Sequence, residues 1–223
     1  MNIKGENNHI IIRNNQNFRE VSADENIEGF SEIVIDGNNN TIELEFPLHA
    51  EGEFFTNNRI RIFGRNHYCH ICSTFKFHDN FIDFFEENAS LYIGRNTSVR
   101  NTGIALSYKS DIYIGEACMI AESNIRGSDF HSIIDIETNK VINIPLQRLY
   151  IGNHVWLAER SRILKNAYIP DGCIVGAEAV IAKKFEESNC IIAGNPAKII
   201  KKNITWDRYN YTSYSEFGPF KYR

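Results

Sequence analysis

Between Tyr150 and Ile181 the chain repeats every six residues. Ile151, Leu157, Ile163, Ile169, Val175 and Ile181 form one file of aliphatic residues, and Val155, Ser161, Ala167, Cys173 and Ala179 form a second file of small ones. An α-helix repeats near 3.6 residues and a flat strand every 2, and neither keeps both files in phase over this length. A period of six fits a solenoid whose short strands meet at corners, three strands to a coil. Every sixth side chain then enters a narrow core, and the small file leaves room for the chain to turn. The pattern predicts an all-β chain folded as a parallel β-helix with about 18 residues per coil.

The rest of the chain extends the pattern unevenly. Before Tyr150, a file of six runs through Phe63, Cys69, Phe75 and Phe81, misses at Glu87, and resumes at Ile93, Val99 and Ala105. Ile114 and Ile120 open a new phase, with Cys118 on the small file. Residues 1–60 carry short apolar runs between Asn-rich segments, and Asn38, Asn39 and Asn40 are expected at corners because Asn tolerates the left-handed backbone region. The expected organisation is a single β-helix over 1–200, less regular over 1–92 and regular over 93–192. Residues 126–149 keep no hexads and are expected to protrude as a loop, a common seat of function on a rigid scaffold. The segment AKIIKKNI reads as a short C-terminal helix. The Tyr- and Phe-rich tail over 201–223 is expected to pack on the coils or on another subunit.

Charge and cysteine usage limit the options. The formal net charge of −4 argues against a general nucleic-acid binder. No apolar run approaches the ~20 residues that cross a bilayer, and the N-terminal stretch is too short in apolar residues for a signal peptide. Five cysteines without a disulfide-framework spacing point to a reducing compartment, and so to the cytoplasm. They are expected to be inert wall residues, Cys69 and Cys72 of the lone C-x-x-C included.

With these residues in view, the segments GSDFHSI, YIGNHVWLA, VGAEAVIAK and IIAGNPAKII resemble those of hexapeptide-repeat acyltransferases, most closely the bacterial capsule and polysialic-acid O-acetyltransferases. The resemblance is strong over 112–206 and thin before that. It implies a left-handed β-helix, assembly as a homotrimer with active sites at subunit interfaces, and acetyl-CoA as acetyl donor with no metal required. The implied catalytic residues are His131, on a D-x-H sequence, with Trp156 near the thioester. The implied CoA contacts are Ala158, Ala177, Ala182, Lys183, Pro196 and Lys198. Ala158 stands where the family usually has glycine, so its methyl group is expected to narrow the channel for the pantetheine arm.

The chemistry fits those residue types. A sugar hydroxyl is a poor nucleophile until its proton leaves, and a histidine titrates close enough to neutrality to take it. His131 is therefore expected as general base in a direct transfer to a glycan hydroxyl. Asp129 or Asp135 is a candidate to hold the other ring nitrogen, and a backbone N–H or the Trp156 indole is a candidate donor to the oxyanion. Asp129 reads first as a turn former and only second as a dyad member, Trp156 equally as the cover of a hydrophobic edge, and the lysines also as a solvated face. The alternative function is N-acetylation of an amino-sugar nucleotide. A zinc hydratase lacks a His-x-x-x-x-His pair along the register, and an ice-binding solenoid lacks a flat Thr-rich face.

Overall fold

The computed structural model describes residues 1–14, 17–46, 55–74, 76–145 and 148–208, which form strands, turns, bends and irregular links without a helix. Three eight-stranded sheets wrap one core, and from Phe30–Asn38 to Val180–Ile181, the loop hairpin aside, successive strands step from sheet A to B to C and back to A. Among the described residues nearly every pairing is parallel, and the exceptions are the end strands Asn17–Glu20 and Lys198–Lys202 and a hairpin of Ile134–Asp135 with Lys140–Val141.

The files of six behave as the sequence predicts in the regular coils. Ile151, Leu157, Ile163, Ile169, Val175 and Ile181 are all buried, as are Val155, Ser161, Ala167, Cys173 and Ala179. Here Ile151 pairs with Ile169 and Ile163 with Ile181, 18 residues on each time. The earlier coils are longer. Ile60 pairs with Ile82 and Ile82 with Ile104, a step of 22 residues, and Leu91 pairs with Ile112, a step of 21.

Those extra residues sit at the corners, so counting in sixes slips off the core. Cys69, Ile93 and Val99 do point inward, but Phe81 is on the outer face and Phe63 is half-buried. Ala105 lies between inward-facing Ile104 and Leu106 and is covered from outside. The true core partners are Ile60, Ile62, Phe77, Ile82 and Phe84. Phe75 lies outside the described residues. Glu87 falls among the extra residues of a lengthened corner, where it forms a bridge and an ion pair with Arg65 of the coil before.

Polar residues turn the corners. Asn7, Asn39, Asn66 and Asn88 all adopt positive φ, between 55° and 59°, and their side-chain amides bond one to the next at 3.1, 3.2 and 3.1 Å. A second, buried file runs Asn58, Asn80, Thr102, Ser123 and Ser161, each satisfying the next through side-chain oxygens. These bonds answer backbone groups that the corners would otherwise bury unpaired.

The expected C-terminal helix is instead a strand. Lys198–Lys202 pairs antiparallel with Cys190–Ala193 and continues sheet C. The isolated segment is too short to hold a helix in water, and the open edge of Cys190–Ala193 offers it ladder bonds. Residues 204–208 then fold back over sheet C. The Trp206 ring stacks on His154, centroids 4.2 Å apart, and its indole N–H donates to the His154 carbonyl oxygen at 2.8 Å. Residues 209–223, most of the aromatic tail, lie outside the described residues.

Candidate active site

The loop over 126–149 leaves the end of a sheet A strand, Asn124–Arg126, and returns as the sheet B strand Leu149–Ile151. It therefore stands on the A–B corner. Its base is pinned. Lys165, which follows the sheet A strand Arg162–Ile163, donates to the Asp129 carboxylate and, at 2.8 Å, to the Asn143 carbonyl. Asn143 in turn donates to Asp129 and to the His131 carbonyl, both at 2.8 Å. Partial burial pushes the Asp129 carboxyl upward, but the Lys165 and Asn143 hydrogen bonds outweigh it and hold the group below its ordinary range.

His131 is exposed at the foot of this loop. Neither expected carboxylate bonds its ring. Asp129 is taken by Lys165 and Asn143, and Asp135 accepts from the Thr138 amide and hydroxyl. Asp129 is thus a fastener of the loop rather than a dyad partner of the imidazole in the single chain. The loop also carries a set of exposed apolar side chains, among them Ile133, Ile134 and Ile142, with Ile136 97% exposed.

The other expected site residues divide between two places. Ala182 and Lys183 follow the sheet A strand Val180–Ile181, on the same A–B corner as the loop, with Lys183 in register with Lys165 one coil on. Trp156 is half-buried on the outer side of sheet C, where its strand pairs with Met119 and Ile174, and the Trp206 ring lies 6.1 Å away. Ala158 and Ala177 occupy the C–A corner, and the Ala158 amide donates to the Val175 carbonyl at 2.9 Å. Pro196 and Lys198 are exposed at the turn between the last two strands of sheet C. In a three-sided coil the A–B corner is opposite sheet C. One chain therefore does not bring His131 and Trp156 together.

Between the two groups lies a feature that the hexad count missed. A cleft of about 490 Å³ crosses the outer face of sheet A, lined by Glu122, Asn124, Arg126, Arg160, Arg162 and Leu164. It runs from the C–A corner to the base of the loop. Arg160 pairs with Glu178 at 2.8 Å, and Arg126 donates to Asn124 and lies over the Phe130 ring. Three guanidinium groups around one cleft suit an anionic ligand. The outward position of Arg162, one residue before core Ile163, was the available signal.

The cysteines offer no nucleophile. All five are free and buried, and burial pushes the Cys69, Cys118 and Cys190 thiols up to about 12. A thiol held protonated this way is inert.

No protein-family profile matches the sequence. Curated relatives do. The polysialic acid O-acetyltransferase of Neisseria meningitidis is 34% identical over 184 residues, 82% of this chain and 82% of that protein. The chain belongs to the hexapeptide-repeat acyltransferases. This acyltransferase also matches the polysialic acid O-acetyltransferase of Escherichia coli O1:K1 / APEC, 35% identical over 123 residues, where the match spans 55% of this chain and 39% of the relative's length. Two crystal structures share its architecture. The polySia-specific acetyltransferase NeuO superposes with a TM-score of 0.69 over 94% of this chain and 89% of NeuO, at 25% identity. The polysialic acid O-acetyltransferase OatWY gives 0.56 over 83% and 90%, at 32% identity. The solenoid is the left-handed parallel β-helix of these acetyltransferases. Among the described residues no helix is long and apolar enough to cross a membrane.

Proposed function

We propose that the protein transfers an acetyl group from acetyl-CoA to a hydroxyl of an acidic bacterial surface glycan, of the polysialic acid class, with His131 as general base. The observation that carries this reading is the relation to the meningococcal polysialic acid O-acetyltransferase over 82% of both chains. The site chemistry agrees. His131 is open to solvent on a loop pinned by Lys165, so a hydroxyl can reach its ring. The base takes the hydroxyl proton as the oxygen attacks the thioester carbonyl, and then returns it to the leaving thiolate. The donor to the oxyanion is a backbone N–H or the Trp156 indole, which needs no proton movement at the moment of attack.

The active site is completed between subunits of a homotrimer. His131 and Trp156 lie on opposite sides of one coil, so a loop from one chain must meet the Trp156 side of another. The exposed isoleucines of the loop support that reading, since a soluble monomer rarely leaves such a patch uncovered. CoA lies between two subunits, against Ala158 and Ala177 of one, with Pro196 and Lys198 of that chain and Ala182 and Lys183 of its neighbour along its length. The Ala158 methyl narrows the path of the pantetheine arm. Arg126, Arg160 and Arg162 take the carboxylates of the acceptor. The reduced, buried cysteines suit the cytoplasm, where acetyl-CoA is made.

The test is an acceptor panel. Purified protein with acetyl-CoA is assayed for CoA release against oligosialic acid, a neutral capsule oligosaccharide and an amino-sugar nucleotide. Turnover is expected with oligosialic acid, with KM raised at least tenfold by Arg162→Ala. Turnover with the amino-sugar nucleotide alone, or an unchanged KM in the variant, contradicts the proposal.

A further inference from the structure

Glu45, His70 and Cys72 form a cluster away from the acetyl-transfer site, near the B–C corner of the early coils. Strand alternation puts His70 and Cys72 on the outer side of Tyr68–Ile71 and the residue after it. Leu44 pairs with Ile71, so Glu45 is level with Cys72 on the neighbouring strand. The three side chains are nearly enclosed: Cys72 is 2% exposed, and the side chains of His70 and Glu45 are 17% and 14% exposed. Their ligand atoms all fall within 4.8 Å of one another. Among the described residues no second group of three His, Cys, Asp or Glu side chains converges in this way.

Two of the three edges lie near those of a tetrahedral metal, and the third, sulfur to oxygen, is within 4.8 Å. Zinc bonded at ~2.3 Å to sulfur and at ~2.0–2.1 Å to nitrogen and oxygen spaces sulfur from nitrogen by about 3.6 Å and nitrogen from oxygen by about 3.4 Å. Here Cys72 Sγ is 3.7 Å from His70 Nε2, and His70 Nε2 is 3.0 Å from Glu45 Oε1. The pair on the carboxylate opens by a few tenths of an ångström when a metal replaces the shared proton. The supports are already in place. Arg95 holds the other oxygen, Glu45 Oε2, at 2.9 and 3.2 Å, which fixes the carboxylate and leaves Oε1 directed at the imidazole. The Cys72 thiol donates to the Tyr92 hydroxyl at 3.4 Å, which fixes the sulfur on this face.

We propose that Glu45, His70 and Cys72 bind one divalent cation of the zinc class. A mixed sulfur, nitrogen and oxygen set selects a borderline-soft ion such as Zn²⁺ over Mg²⁺ or Ca²⁺. Binding displaces the thiol proton of Cys72 to solvent, and His70 binds through Nε2 as the neutral tautomer that carries its proton on Nδ1. The ion joins two adjacent coils through their outer face and plays no part in acetyl transfer.

The experiment uses the full chain, stripped with a chelator, titrated with Zn²⁺ against a competing indicator, and separately with Co²⁺. One Zn²⁺ per chain is expected, with a melting temperature raised by saturation and a thiolate-to-cobalt charge-transfer band. Cys72→Ser is expected to abolish the band, His70→Ala to weaken Zn²⁺ binding about 100-fold or more, and both variants to keep wild-type acetyl transfer. Absence of a thiolate band in the wild type overturns the proposal. So does binding of unchanged affinity in both variants, which locates the ion elsewhere. If the variants fail to fold, the wild-type band and stoichiometry still decide. Because the readout is metal binding, it stands or falls separately from the acceptor assay.

Discussion

Replacing Lys165 with methionine separates the loop from its scaffold with little change of volume. Lys165 is 19% exposed and its partner Asp129 38%, so this is a half-solvated pair rather than a buried one. The substitution removes one charge-assisted bond to Asp129 and one to the Asn143 carbonyl. Asp129 keeps its bond from Asn143 and can rehydrate. Exposed pairs contribute ~0.2–1 kcal/mol, so the loss of global stability should be about 1 kcal/mol. For a chain of 223 residues that lowers Tm by roughly 2–4 °C.

Activity should fall much further. His131 is positioned through the same Asn143 that Lys165 supports, and a displacement of ~1 Å at a reacting group can cost ~100-fold. The expected result is a loss of kcat/KM on the order of 30–100-fold with Tm within a few degrees of wild type. The pH dependence has a definite sign. Asp129 titrates below its ordinary value of 3.8 in the folded chain. Its contribution is therefore present above that value and is lost as pH falls through the lower folded one. The Tm difference between Lys165→Met and wild type should close at that acid end. Paired kcat/KM and thermal-melt measurements check the reasoning. A variant with wild-type kcat/KM and a Tm lowered by ten degrees or more would falsify it, since the pair would then hold the coils rather than the loop.

Other consequences follow from the same structure. Leu157→Ala opens a cavity in a fully buried core position and should cost about 2–5 kcal/mol by denaturant unfolding. Tyr92, Tyr113, Tyr150 and Tyr168 stack down sheet B with centroids 5.0, 5.2 and 4.6 Å apart. Tyr113→Leu breaks two of these contacts and should cost about 1–3 kcal/mol, whereas an unchanged midpoint would make the ladder decorative. Burial holds His154 below its ordinary value of 6.5, so its neutral ring favours the fold above 6.5, and that contribution is lost as pH falls through the folded value. The fluorescence of Trp206, stacked on it, should report earlier melting under acid conditions, and His154→Phe should flatten that dependence.

The regular coils were legible because each of their residues does one job: six residues make one side and its corner, so a file of six is a file in space. That relation fails where corners lengthen. At 22 residues per coil, Phe81 moves to the outer face and Phe77 takes the core. AKIIKKNI misled for a different reason, since its partner strand, Cys190–Ala193, is supplied by the fold and no local pattern announces it. The loop and His131 could be found because the repeat stops there. Lys165 and Asn143 could not, and Arg162 showed only as one outward residue beside core Ile163, because outward positions on a solenoid are free to vary and only the coil register brings them together. The Glu45, His70 and Cys72 cluster joins residues 25 apart or more in the chain from Glu45, and depends on the same register.

The proton-accepting role of His131 is tested most directly by following radiolabelled acetyl from acetyl-CoA to oligosialic acid with wild-type protein and His131→Ala under single-turnover conditions. Transfer by the variant is expected to slow ~10²–10⁴-fold while its affinity for CoA and its melting temperature stay at wild-type values. Near-wild-type transfer by the variant contradicts the assignment of His131 as the base.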